Sequence, residues 1–315
     1  MDLPNFAFFR GRIVPYSEAR VGVLTHALNY GTGCFAGIRA FWNEEERELF
    51  IFRAPEHYRR FLESSRLLRM ELPYGVEELT DATVELLRRE DHRRDCYIRP
   101  LAFLSEETLG VRLDGLKPEV SIVSFPFGKY LDCEAGVHAT ISSWRRIDDG
   151  VIPARGKISG GYVNSALAKT DAERAGFDEA ILLDAAGKIS EGTVANVFLI
   201  RNGVLVTPSV TDGILEGITR RTLIEFARDE GWDVEERTVD RTELFLAEEA
   251  FFAGTGVMVA PIVRVDHRAI GTGQPGERTR KLQSLFFDAA RGRLPRYRRW
   301  CLPVHGKRTN LVAAG

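Results

Sequence analysis

A chain of 315 residues, 44% of them hydrophobic, is long enough for two domains and for a packed core. Its formal net charge of -2 offers no electrostatic footprint for nucleic acid or an anionic membrane, and no apolar run approaches the length of a membrane span. Met1–Arg10 lacks the basic-then-apolar order of a signal peptide. Cys34, Cys96, Cys133 and Cys301 lack metal-ligand spacing, so the expectation is free thiols, no bound metal and a cytoplasmic protein.

In chain order, Phe6–Phe9 and Arg12–Pro15 flank Arg10-Gly11, a short hairpin signal. The Gly-rich run His26–Arg39 implies a tight backbone, and its end, Gly37–Trp42, reads as a strand. The charged turn Asn43–Glu48 leads into a strand at Leu49–Phe52. Pro55–Arg69 and Val76–Glu90 have the apolar spacing of amphipathic helices. Cys96–Leu104 and Val120–Phe125 are β-rich, so residues 1–125 read as a small α+β domain. Residues 126–136 break the pattern with Pro, Gly and charges and serve as the interdomain loop, leaving 137–315 as the second domain. There, Val137–Trp144, Asp178–Asp184 and Thr193–Ile200 read as strands, the last two joined by the turn Ala185–Lys188. Val204–Thr207 follows the hairpin signal Asn202-Gly203. Tyr162–Gly176 and Gly217–Gly231 read as helices, and Ala250–Ala253 and Val257–Val265 as strands. The basic tail after Gly292 carries no pattern that assigns it.

The candidate chemistry centres on Ile152–Tyr162, where a single lysine, Lys157, stands among small residues just ahead of a helix. Small neighbours leave room for a bulky group at its nitrogen, and a lysine that reacts with a carbonyl must be partly desolvated. On spacing alone, a solvated lysine in a Gly-rich turn fits as well. Ser159-Gly-Gly161, Glu216-Gly-Ile-Thr219 and Gly254-Thr-Gly256 are turns whose amides suit a phosphate or serve as ordinary caps. Glu191, expected between two strands, suits a protonated ring nitrogen or a solvated turn. Tyr97 and Arg99 stand two apart in a strand and share a face. A buried arginine there implies an anionic partner.

From about Phe9 to about Pro303 the chain resembles the branched-chain aminotransferases, within the class IV (fold type IV) pyridoxal-phosphate enzymes. The resemblance is carried, in the family's order, by His26–Arg39, Glu56-His-Tyr-Arg-Arg60, Cys96-Tyr-Ile-Arg-Pro100, Phe125–Tyr130, Ile152–Asn164, Ile189-Ser-Glu-Gly192, Leu215–Arg220 and Ala253-Gly-Thr255. It implies an α/β (α+β mixed) fold with a smaller N-terminal α/β domain and a larger C-terminal pseudo-barrel domain. It also implies pyridoxal 5′-phosphate as cofactor, and transamination between L-leucine, L-isoleucine or L-valine and 2-oxoglutarate. By resemblance, Lys157 is the Schiff-base lysine and Glu191 the partner of the pyridine nitrogen. Arg60 with Ile218, Thr219 and Thr255 binds the phosphate, and Tyr162 lies beside the cofactor's phenolic oxygen. Tyr97, with amides at Thr255-Gly256, meets the substrate α-carboxylate. Phe35, Tyr30, Phe127 and Tyr130 form the apolar pocket, and Arg99 meets the second carboxylate of glutamate. The loop Leu109-Gly-Val111 matches one that enters the partner subunit's site, which implies a homodimer or a larger assembly of dimers. The implied partners are small amino acids and 2-oxo acids, not nucleic acid or membrane. Two acidic positions of the family are alanine here, Ala36 and Ala195, which touches substrate preference rather than transamination itself. The rival on the same fold is a D-amino-acid or (R)-amine transaminase, which the Tyr97-Ile-Arg99-Pro100 signature argues against.

Overall fold

The computed structural model describes residues 3–128, 131 and 135–306. The chain forms two compact units, Met1–Gly128 with Gly156–Gly160 and Phe287–Gly315, and Lys129–Arg155 with Gly161–Phe286. The division therefore differs from a simple split of 1–125 and 137–315 about a loop at 126–136. The strand Cys301–Pro303 pairs with the first sheet, and Ile158 forms a β-bridge with Cys34, so both segments join the first unit.

In the first unit, β1 (Phe6–Phe9), β2 (Arg12–Pro15), β3 (Gly33–Phe35), β4 (Ile38–Asn43), β5 (Glu48–Phe52), β6 (Cys96–Leu104) and β7 (Pro118–Pro126) join Cys301–Pro303 in one sheet. The order is Cys301–Pro303, β5, β4, β6, β7, β1, β2, with β3 also on β6. The short helix α1 (His26–Tyr30) opens the Gly-rich run in which a tight backbone is expected, and Gly31, at φ +67°, ends the helix. Helices α2 (Ala54–Leu67) and α3 (Val76–Glu90) follow the predicted periodicity. Their apolar stripes, Tyr58 and Phe61 on α2 and Leu79, Val84 and Leu87 on α3, pack in one core with Ile38, Ile51 and Ile98 of the sheet. The far edge is tied by one carboxylate. Glu48, 8% exposed, accepts the backbone N–H of Leu49, Val304, His305 and Gly306 at 2.6–3.0 Å. Cys34, Cys96 and Cys301 are buried free thiols, and burial pushes Cys34 up to about 11. Cys133 lies outside the described residues.

The second unit holds β8 (Val137–Arg145), β9 (Glu179–Leu183), β10 (Ile189–Gly192), β11 (Asn196–Arg201), β12 (Val204–Thr207), β13 (Val234–Glu236), β14 (Glu249–Gly254), β15 (Met258–Val265) and β16 (Arg268–Ala269). The path β10-β9-β8-β15-β14-β11 closes on itself through the antiparallel pair Glu191↔Asn196, with β12 and β13 continuing beyond β11. Closure removes two sheet edges and encloses a core of Ile181, Val197, Leu199, Phe252, Ala260 and Ile262. Helices α4 (Tyr162–Arg174) and α5 (Ile218–Asp229) were expected. α6 (Glu277–Ala290) has no counterpart among the expected elements, because arginines and a lysine surround its buried Leu282, Phe286 and Ala289. Two sequence expectations need correction. Glu191 is not in a turn but inside β10, and the strand expected from Thr193 begins at Asn196. All four residues of β10 are buried and its register on β9 shifts between Ile189 and Gly192, so no alternation marks it as a strand. No helix among the described residues is long and apolar enough to cross a membrane.

Candidate active site

Lys157 is held by its backbone on two sides in the first unit. Its N–H donates to Ser64 Oγ at 3.1 Å, and its carbonyl accepts Phe35 N–H at 3.0 Å. Ser64 Oγ in turn donates to the carbonyl of Arg60 at 2.8 Å, so one hydroxyl of α2 links the two candidate residues. Three residues on, Gly160 N–H meets Gly31 O at 3.2 Å. Gly31 has φ +67°, and a Cβ there would stand 2.9 Å from Gly160 Cα, so only glycine permits this approach. Lys157 Nζ lies 5.1 Å from the centroid of the Phe35 ring, and Arg60 is 9% exposed on α2.

Strand β6 brings Tyr97 and Arg99 together as their spacing predicts. Arg99 Nη2 donates to Tyr97 Oη at 3.2 Å, and its guanidinium lies 4.5 Å from the Phe35 ring centroid. Tyr97 stacks on Phe125 at 5.7 Å and leans on Phe127 at 5.4 Å. Arg39, which burial keeps below its ordinary pKa, donates to the carbonyls of Phe127 and Gly128 and so fixes that turn. The first unit therefore gathers Phe35, Tyr97, Arg99 and Phe127. Tyr30 is engaged differently: it is 39% exposed, and its hydroxyl accepts Gly110 N–H at 3.0 Å. His26 Nε2 contacts Gly110 O at 2.8 Å, which presents Leu109 and Val111, 71% and 77% exposed. Tyr130 lies outside the described residues.

In the second unit Glu191 is 7% exposed and both its oxygens are occupied. Oε1 lies 2.9 Å from Arg146 Nη2. Oε2 accepts Asn196 Nδ2 at 3.0 Å and Leu215 N–H at 3.1 Å. Asn196 Nδ2 also reaches Leu215 O at 2.9 Å, and a Cβ at Gly217 would stand 2.1 Å from Asn196 Oδ1. Gly217 caps α5 without a side-chain hydrogen bond, so the first amides of this helix, beside the buried Thr219, have no side-chain cap, a setting that suits an anion. Tyr162 opens α4 half-buried, and Thr255 and Gly256 turn β14 into β15. A Cβ at Gly256 would touch nothing within 4 Å. Ala36 and Ala195 are each buried in the apolar core of their own unit.

By chemistry alone, the lysine anchored in the first unit is the type of group that an aldehyde requires, and the fixed buried carboxylate and uncapped helix N-terminus of the second unit are the types that a ring nitrogen and a phosphate require. Sequence reasoning missed Arg146 and Ser64 and gave Asn196 no role. Arg146 follows another arginine, so the pair reads as solvated surface, and Ser64 is one serine inside a helix.

Residues 33–265 match the family described as amino-transferase class IV. A probable branched-chain-amino-acid aminotransferase of Aquifex aeolicus is 48% identical over 304 residues, 96% of this chain and 98% of that protein. The branched-chain-amino-acid aminotransferase of Pseudomonas aeruginosa is 38% identical over 302 residues, 95% of this chain and 97% of its own. The crystal structure of the branched-chain aminotransferase of Thermoproteus uzoniensis with norvaline superimposes with a TM-score of 0.93 at 42% identity, covering 96% of this chain and all of that one. The pyridoxal-phosphate form of the Thermobaculum terrenum enzyme gives 0.92 at 40% identity, covering 97% and 100%.

Proposed function

The chain belongs to the class IV aminotransferases, which use pyridoxal 5′-phosphate, and on that premise we propose that it moves the amino group of L-leucine, L-isoleucine or L-valine to 2-oxoglutarate. The observation that carries this choice of substrates is the Phe35–Tyr97–Arg99–Phe127 cluster. Its aromatic faces suit a branched aliphatic chain, and the Arg99 guanidinium among them suits the second carboxylate of glutamate. An apolar pocket without that cation would reject 2-oxoglutarate by several kcal/mol.

When bound, pyridoxal phosphate supplies an electron sink for the bond that breaks at the substrate Cα. Lys157 Nζ is the group we assign to hold the cofactor and then to carry the proton to and from Cα. Its backbone contacts to Ser64 and Phe35 restrict where that nitrogen can reach. Glu191 keeps a proton on the ring nitrogen. Arg60, the first amides of α5 at Ile218 and Thr219, and Thr255 take the phosphate, and Tyr162 takes the phenolic oxygen. Tyr97 and the amides of Thr255 and Gly256 take the α-carboxylate. Phe35 and Phe127 exclude water around the side chain.

The exposed apolar residues Leu28, Leu109 and Val111, held near Tyr30 and His26, support a homodimer in which a second copy covers them; we place the enzyme in the cytoplasm. A panel of L- and D-amino acids with 2-oxoglutarate tests the reading, together with Lys157→Ala. Turnover of L-leucine, L-isoleucine and L-valine that vanishes in the lysine variant is the expected result. Preference for D-amino acids, or steady turnover by Lys157→Ala, would overturn it.

A further inference from the structure

Glu191 is held by a residue that none of its expected roles includes. Arg146 follows β8 directly, and its backbone N–H donates to Leu183 O at 2.8 Å. Its Nε donates to Gly213 O at 3.1 Å, which aims Nη2 at Glu191 Oε1, 2.9 Å away. The two side chains are 14% and 9% exposed, so a charge on either one alone would be poorly solvated. Arg146 also lines a hollow of about 400 Å³ with Asp148, Asp149, Asp184, Asp212 and Arg155. Each acid there already has a backbone donor: Gly150 for Asp148, Ala154 for Asp149, Lys188 for Asp184 and Ser209 for Asp212, each at 2.8 Å. Arg155 pairs with Glu216 at 3.1 Å. Among these groups it is Arg146 that reaches Glu191.

We propose that Arg146 is a positioning residue that makes Glu191 a fixed anion of low proton affinity, so that a proton shared between Glu191 and the cofactor ring nitrogen stays on the nitrogen. This rests on the reading of Glu191 as the ring-nitrogen partner. Asn196 and the Leu215 amide, which also donate to it, are neutral. They orient the carboxylate, and Arg146 adds a full positive charge that stabilises its ionised form. No proton is gained or lost. Without Arg146, Glu191 becomes the stronger base and the proton moves from nitrogen to a carboxylate oxygen, which weakens the electron sink while leaving the phosphate contacts untouched.

The test has two readouts other than turnover. In cofactor-free protein labelled with 13C at the glutamate carboxyl carbon, Arg146→Gln raises the titration midpoint of Glu191 by one pH unit or more. An unchanged midpoint overturns the proposal. In protein loaded with ring-15N cofactor, Arg146→Gln and Glu191→Gln both move the nitrogen signal from the pyridinium toward the neutral range, while Arg146→Lys keeps it. If Glu191→Gln moves the signal and Arg146→Gln does not, this proposal fails and the active-site reading stands. If Glu191→Gln leaves it in place, both fail. Should Arg146→Gln not fold, the readings are taken on Arg146→Ala with millimolar guanidinium, which the hollow admits. The native signal returns with the ion and is lost on dialysis, and a signal indifferent to guanidinium overturns the proposal.

Discussion

Replacing Gly217 by alanine separates two opposed effects whose sizes differ enough to be told apart. Gly217 has φ -69° and ψ 134°, angles that alanine adopts without strain. On backbone grounds the substitution would therefore stabilise by about 0.4–1 kcal/mol, through a less flexible unfolded chain. The added Cβ, however, would stand 2.1 Å from Asn196 Oδ1 and 3.3 Å from both Asn196 Cγ and Arg220 Cβ. Asn196 cannot swing aside without releasing Glu191 Oε2 and Leu215 O. A hydrogen bond to a carboxylate contributes roughly 1.5–3 kcal/mol and a neutral one roughly 1. The expected net loss is thus about 2–3 kcal/mol. At roughly 2 °C per kcal/mol, the melting temperature of the cofactor-free protein falls by about 5 °C in calorimetry. The control is the double-mutant cycle with Asn196→Ala, which removes the atoms the methyl would strike. In that background Gly217→Ala becomes neutral or slightly stabilising. A rise in melting temperature in the parent, or an equal fall in both backgrounds, would refute the steric argument.

Arg99→Ala should impair the glutamate/2-oxoglutarate half-reaction more than the leucine half-reaction, by roughly 2–4 kcal/mol in single-turnover rates. Equal losses in both would place Arg99 on the shared α-carboxylate instead. His138 has its pKa lowered, first by desolvation and then by His267 and Arg264, against Asp178 and Asp266. Its Nε2 accepts His267 N–H at 3.2 Å, a role closed to the protonated ring. The folded state therefore binds this proton less readily than the unfolded chain. The contribution of neutral His138 is complete above the unfolded value near 6.5 and is lost as pH falls below it. His138→Gln should flatten the decline of melting temperature as the pH falls below about 6.5. A decline as steep as the parent's would remove His138 from the account.

The parts legible in the sequence are those whose signal is local. Periodicity marks α2 and α3, and alternation puts Tyr97 and Arg99 on one face of β6, where the structure joins them. Small residues mark out Lys157, although its hold on Ser64 and Phe35 depends on residues far away in the chain. Glu191 was legible as a candidate, but its strand was not, because all four of its residues are buried and it closes a ring of strands, a property of the whole sheet. Arg146 escaped because nothing local distinguishes an arginine aimed at a buried carboxylate from one in water. The C-terminal strand escaped because its partner, β5, lies at the other end of the chain.

That last pairing also sets an order of events during synthesis. Glu48 and the Val304 amide it accepts are 256 residues apart. At roughly 5–20 residues per second, β5 waits on the order of 10–50 s for the strand that covers its edge. Through that interval Phe50, Ile51 and Phe52, all buried in the finished protein, lie in a strand with one edge unpaired, the kind of edge on which chains add to one another. The closed ring of the second unit draws its strands from 137–265 and needs nothing from residues 301–303. The ribosome therefore releases the ring's last strand before the first sheet can be completed, and a chaperone that shields a nascent edge would find its site at β5.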